Sequence, residues 1–215
     1  MSLPNWFITS DCHFENGGVH KDGEKYGIIK YCDSTRPFST IKEHDEKLVE
    51  NWNLTVGKKD HVIIVGDFAW KNANKWAQRL NGKKWLIIGN HDYLKTKDLS
   101  YFVKISEMLE KRILEQSFFF SHYAALTWPK KPYGSIMIHG HSHGRLIEDG
   151  KNKRFSAAVD VWDLRPAPIE AFIMKANEIP VLPFSDSNET KDRMDKIVLE
   201  NLENNKLIMK NLVDY

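Results

Sequence analysis

The sequence contains no apolar run of the roughly 20 residues that a spanning helix requires, so it does not read as a membrane-embedded chain. It has only two cysteines in 215 residues, Cys12 and Cys32. Two cannot make a disulfide framework, and both are expected reduced, in a cytoplasm. Net charge is also nearly absent, at +2, with no basic stripe interleaved with aromatics. No strong phosphate-backbone footprint follows, and long nucleic acid is not the favoured partner. The first residues, Met-Ser-Leu-Pro-Asn-Trp, lack a basic segment followed by an apolar one, so no secretion signal is expected. There is no internal repeat, no low-complexity tract and no Gly-x-Ser-x-Gly elbow. The Ser121-His122 step therefore lacks the setting of a serine nucleophile, and adjacent strand residues would face opposite sides.

What is present suits one folded domain. Hydrophobic residues are 41% and charged ones 28%, and a chain of this length can bury roughly 70% of its unfolded surface. The stretch from Lys84 to Asp92 organises the rest: an apolar run, Trp85 to Ile88, then a glycine, then Asn90, His91 and Asp92. Apolar runs ending abruptly in side chains that bind metals recur at Phe7 to His13, Val62 to Asp67, Phe118 to His122 and Ile136 to His143. Strand ends carrying ligand-type residues point to one shared site.

In chain order, Trp6 to Ser10 reads as a strand delivering Asp11 and His13. The period of two in this extended segment puts both side chains on one side and Cys12 on the other, which makes Asp-x-His a sound chelating pair. Phe14 to Phe38, rich in Gly, Asp, Lys and Glu, reads as a loop over the site with one helical turn near Ile28 to Tyr31. Ser39 or Thr40 caps a helix carrying Ile41, Leu48, Val49 and Trp52 and ending near Asn53. His61 to Val65 is a strand, Lys71 to Leu80 a helix, and the alternation implies βαβ units in a largely parallel sheet. Val103 to Met108, Arg112 to Leu114 and Ser117 to Ser121 read as antiparallel strands, with Glu110-Lys111 as a turn. Ser135 to Ile138 is a strand, after which His141 and His143 share a face by the argument used for Asp11 and His13; His139 reads as a satisfied strand-end histidine. Arg154 to Val161 reads as a further strand, and Pro168 as the first position of a helix. A final helix carries Met194, Ile197, Val198 and Leu202 on one side, for packing on the body or for a homodimer contact.

Taken together, Asp11-x-His13, Gly66-Asp67, Gly89-Asn90-His91-Asp92, His122 and Gly140-His141-x-His143 resemble the five signature motifs of the calcineurin-like metallophosphoesterases, over roughly Phe7 to Ile173. Arg36-Pro37-Phe38 and Asp160-Val161-Trp162 resemble small bacterial or phage-type members. The resemblance implies an α/β fold, a layered β-sheet sandwich flanked by helices (αββα), with residues 1–176 as the metallophosphoesterase domain and 177–215 as a C-terminal extension. It implies two divalent metal ions, one held by Asp11, His13, Asp67 and His143, the other by Asp67, Asn90, His122 and His141, with Asp67 bridging. Carboxylate, amide and imidazole donors without thiolate suit Mn²⁺ first, with Fe, Zn²⁺ or Ni²⁺ as alternatives, and not Cu(I). Two such ions bind a shared hydroxide, lower its pKa towards neutrality and neutralise phosphoryl oxygens. His91, a non-ligand in the family, is then the general acid, with Asp92 orienting its ring and Asn90 touching the phosphate.

The expected function is hydrolysis of a phosphoester, a diester or nucleotide more than a protein phosphate, by a phosphodiesterase or a small-molecule phosphomonoesterase. Arg36, His20 and Arg145 are the candidates for holding substrate, although an isolated Arg36 reads more readily as half of a surface salt bridge. The segment Glu15 to Gly27 is longer than in close relatives. A non-catalytic scaffold of the same fold is the competing reading, and the complete ligand set argues against it.

Overall fold

The computed structural model describes residues 3–92 and 100–181. The expected C-terminal helix, with Met194, Ile197, Val198 and Leu202, lies outside the described residues. In chain order the elements are β1 (Trp6–Thr9), β2 (Gly17–Val19), β3 (Lys25–Gly27), α1 (Ile28–Tyr31), α2 (Ile41–Thr55), β4 (His61–Val65), α3 (Ala73–Arg79) and β5 (Lys83–Ile87). They continue with β6 (Phe102–Ser106), β7 (Met108–Ile113), β8 (Gln116–Ser121), β9 (Ile136–His139), β10 (Arg154–Ser156), β11 (Ala167–Pro168) and α4 (Ile169–Asn177). A five-stranded sheet runs β11-β1-β4-β5-β6, parallel except for β11, and a four-stranded sheet runs β10-β9-β8-β7, parallel except for β7.

Strict alternation along near-continuous apolar strands explains the layering, because successive side chains face opposite sides. Phe7, Val62, Ile64 and Leu86 point to one side, where they pack with Leu48, Val49 and Trp52 of α2 and Trp76 and Ala77 of α3. Their neighbours Ile8, Ile63, Val65 and Ile87 point to the other, against Phe118, Phe120, Ile136 and Ile138 of the second sheet and Phe172 of α4. Phe119 and Met137 face outward again and are covered by Trp128. This is the expected sandwich.

Thr40 caps α2 with a complete capping box. Its Oγ1 accepts from the Glu43 N–H at 3.2 Å, and a Glu43 carboxylate oxygen accepts from the Thr40 N–H at 3.2 Å, an arrangement typically contributing about 1 kcal/mol.

Several local expectations are corrected. The 14–38 segment is not all loop: β2 and β3 pair as an antiparallel hairpin leading into α1. β6 lies parallel to β5 in the first sheet, where Phe102 joins the helix-side core. Glu110 and Lys111 lie within β7, and the turn falls at Leu114-Glu115, whose φ values of 48° and 60° give the left-handed pair that suits a tight hairpin. β10 stops at Ser156, and Val159–Val161 forms a 3₁₀ turn that sends Asp160 inward. Pro168 is extended, pairs with Phe7 and caps α4 from outside.

Candidate metal centre

Every ligand candidate leaves the carboxyl end of a strand: Asp11 and His13 follow β1, Asp67 follows β4, Asn90 follows β5, His122 follows β8, and His141 and His143 follow β9. The two sheets thus deliver their loops to one place. Asp11, His13 and His143 form one group and Asp67, His122 and His141 another, with ligand atoms inside each group within 4.8 Å of one another. Asp67 joins them, since its Oδ2 is 3.5 Å from His13 Nε2 and 3.3 Å from His122 Nε2. Asn90 Oδ1 completes the second group, 3.0 Å from both His122 Nε2 and His141 Nδ1.

The reason for this convergence differs from the expected one. Asp11, His13, Asp67, His141 and His143 have φ values of 56°, 51°, 53°, 65° and 49°, so the side chains are gathered by left-handed backbone and not by strand periodicity. Each such residue costs roughly 1–2 kcal/mol, and strain of this kind persists where the surroundings fix it. The surroundings here are hydrogen bonds: Asp11 N–H to Gly66 O at 3.0 Å, His13 N–H to Asp67 O at 2.9 Å, and His141 N–H to Asp11 Oδ1 at 2.9 Å. Two glycines let the ligands sit this close. A Cβ on Gly66, whose φ is 87°, would run into the His122 ring, and one on Gly89 would run into Asp67.

The chemistry of the donors fits divalent cations. His13 Nε2 is buried with no hydrogen-bond partner, an expense that a bound ion removes. Burial holds the His13 ring well below its ordinary pKa, hence neutral. Burial opposes ionisation of Asp67, yet His122 and His13 outweigh it and hold the carboxyl down at about 2. His122 donates from Nδ1 to Val65 O at 2.9 Å, which leaves Nε2 free towards Asp67. Cys12 is buried in the helix-side core, away from the ligands, and His139 is buried and bonded to Gly140 O at 3.0 Å.

A cavity of about 370 Å³ opens onto this centre, lined among others by His13, Asp67, His91, His141, His143 and Arg145. The hairpin and α1 contribute Gly27, Ile28 and Tyr31 to it. His91 stands beside the ligands, its ring 5.4 Å from that of His13 and 5.1 Å from that of Trp70, while its backbone N–H donates to Asp67 Oδ1 at 2.8 Å.

Asp92 does not orient that ring. Its oxygens accept from the N–H groups of Asp67, Phe68 and Gly89, each at 2.8 Å, and His91 Nδ1 has no hydrogen-bond partner. Asp92 instead clamps the loops after β4 and β5 together, with burial raising its pKa to about 6. Arg36 is no phosphate clamp: it is fully buried and bonded to Asp160. His20 lies exposed in the hairpin against Tyr26, outside the cavity lining. Only Arg145 of the three substrate candidates reaches the cavity, and it donates to Tyr31 O at 2.8 Å. Sequence spacing missed Asp160, Asn16 and Trp70, which meet the centre only through folding.

A sandwich with a two-group His and Asp centre at its strand ends defines a class of metal-dependent hydrolases, and the comparisons agree. The family model for calcineurin-like phosphoesterases matches residues 7–155, so the chain belongs to that family of metal-dependent phosphoesterases, acting on phosphoester substrates. It is 29% identical over 186 residues to the uncharacterized protein MJ1445 of Methanocaldococcus jannaschii, covering 80% of this chain and 92% of that one. It is 28% identical over 198 residues to the gene 66 protein of Mycobacterium phage D29, covering 76% and 92%. Among solved structures, a protein of unknown function from Aquifex aeolicus, AQ665, shares the fold at a TM-score of 0.61 and 23% identity, covering 80% of this chain and 99% of that one. No helix among the described residues is long and apolar enough to cross a membrane.

Proposed function

We propose that this protein hydrolyses a small phosphodiester or nucleotide at a dinuclear metal centre. The observation that carries the reading is the position of Asp67, whose one oxygen lies 3.5 Å from His13 Nε2 and 3.3 Å from His122 Nε2, between the two ligand groups. Asp11, His13, Asp67 and His143 would hold one ion, and Asp67, Asn90, His122 and His141 the other. Bound there, two divalent ions, Mn²⁺ first and otherwise Fe, Zn²⁺ or Ni²⁺, would supply Lewis acidity to phosphoryl oxygens and lower the pKa of a bound water towards neutrality.

The chain's own groups do the remaining work. His91 lines the cavity beside the centre without being held by a carboxylate, and it protonates the leaving oxygen. Asn90 presents Oδ1 to the second ligand group, which leaves its amide nitrogen for a phosphoryl oxygen. Arg145 lines the cavity and adds positive charge that would favour a bound phosphate group. A cavity of about 370 Å³ is at the lower end of small-molecule sites, about 300–1,000 Å³. The lining holds one arginine and no lysine among the described residues, which suits a small anion better than a long polyanion.

The test is to strip the protein of metal, refill it with Mn²⁺, count bound ions, and measure hydrolysis of an aryl phosphomonoester and an aryl phosphodiester. The expected result is two ions per chain and metal-dependent turnover, faster on the diester. Two bound ions with no turnover of either ester would remove the hydrolase reading.

A further inference from the structure

We propose that Arg36 and Asp160 form a buried brace that assembles one ligand group, Asp11, His13 and His143, and leaves the group around His122 alone. The proposal rests on the dinuclear reading and assigns it an asymmetry. Arg36 and the Asp160 side chain have no exposure, and the guanidinium grips the carboxylate with Nε donating to Oδ1 at 2.9 Å and Nη2 to Oδ2 at 2.6 Å. Such a fork is the geometry in which arginine pairs most rigidly with a carboxylate. Oδ2 also accepts from His143 Nδ1 at 2.8 Å. Because Arg36 stays charged, Asp160 stays an acceptor, a ring proton is fixed on Nδ1, and Nε2 is the nitrogen turned towards Asp11, 3.7 Å away.

The same arginine holds the other two ligands through the backbone. Nη2 donates to Asp11 O at 2.6 Å and Nη1 to Cys12 O at 3.3 Å, which pins carbonyls in the left-handed turn that carries Asp11 and His13. Nη1 also donates to His44 Nε2 at 3.1 Å, His44 Nδ1 donates to Asp45 Oδ1 at 2.8 Å, and Asp45 Oδ2 accepts from the Glu15 N–H at 3.1 Å. The chain of contacts thus returns to the end of the same turn. His122 is held by Val65 O instead, and Asp67 by the N–H of His91; neither touches the brace. Thr35, which donates to Asp160 Oδ1 at 2.7 Å, closes the remaining side.

The experiment titrates metal-stripped, full-length protein with Mn²⁺ by calorimetry and records thermal unfolding. Wild type should take two ions, and a wild type that takes fewer would sink the dinuclear reading, not the brace. In Asp160→Asn one ion should bind as in wild type and the other should weaken about 10- to 100-fold, the usual effect of losing a group behind a histidine ligand. The double variant Arg36→Met with Asp160→Leu removes both buried charges, so it should regain thermal stability while the weakened ion stays weak. A merely structural pair would restore both together. Two ions bound with wild-type affinity in the folded double variant, or an equal loss at both sites, would overturn the brace. Should both variants fail to fold, nitrogen-15 NMR of Zn²⁺-loaded wild type decides: His143 should carry a slowly exchanging proton on Nδ1, and metal on Nδ1 would refute the proposal.

Discussion

His91→Ala is expected to slow hydrolysis in proportion to how badly the leaving group needs a proton. The structure predicts that little else changes. The backbone N–H that donates to Asp67 Oδ1 survives the substitution, and the lost ring takes with it an Nδ1 that has no hydrogen-bond partner. Among the described residues its ring contacts are with His13 and Trp70, at 5.4 and 5.1 Å, so metal content should hold and stability should fall by no more than about 1–2 kcal/mol. Loss of a positioned general acid typically costs 10²–10⁴-fold, about 3–5 kcal/mol of barrier. That cost should appear in full for alkyl esters, whose alkoxide leaves only with a proton, and nearly vanish for nitrophenyl esters. The assay is kcat and kcat/KM across a series of esters graded by leaving group. Equal slowing of alkyl and nitrophenyl esters, or an unchanged rate on the alkyl ester, would remove His91 as the proton donor.

Asp67→Ala should weaken both ions together, because its oxygen stands between the two groups; metal analysis showing full occupancy would contradict the bridge. Gly66→Ala forces a Cβ onto φ 87° and into His122, so it should cost at least about 1–2 kcal/mol in chemical unfolding and reduce metal affinity, whereas Gly150→Ala, with open space around it, should leave metal affinity alone. Lys84 donates to Leu80 O and Gly82 O, each at 2.8 Å, and burial lowers its pKa from 10.5 to about 8. The folded state therefore binds fewer protons than the unfolded one between about pH 8 and 10.5, and stability contributed by this group rises with pH across that window. The melting temperature of wild type relative to Lys84→Met should rise over the same window, and a flat difference would refute the assignment.

The position of each candidate ligand was legible because a buried parallel strand is a continuous apolar run, and Asp11, Asp67, Asn90, His122 and His141 interrupt such runs abruptly. The geometry that unites them was not. Asp-x-His reads as an extended pair by side-chain period, but five candidate ligands adopt left-handed backbone, and although Asp and His tolerate that region better than most residues, no glycine at those positions announces it. The Leu114-Glu115 turn was hidden for the same reason, having neither Asn nor Gly where φ is positive. Arg36 was ambiguous from sequence alone, since its partner Asp160 is 124 residues away and neither local spacing nor charge connects them. Asp92 looked like a partner for its neighbour His91, yet its oxygens are taken by backbone N–H groups from the loops after β4 and β5.

The pairing of β1 with both β4 and β11 bears on synthesis. β1 leaves the ribosome before both of its flanking partners, which follow only at residues 61–65 and 167–168. Until then Phe7 and Ile8, buried in the finished fold, belong to a strand with open hydrogen-bonding edges, which is a template for pairing with another chain. A nascent chain halted before Ala167 still has one edge of β1 unmatched, and such fragments are expected to accumulate in the insoluble fraction of cells.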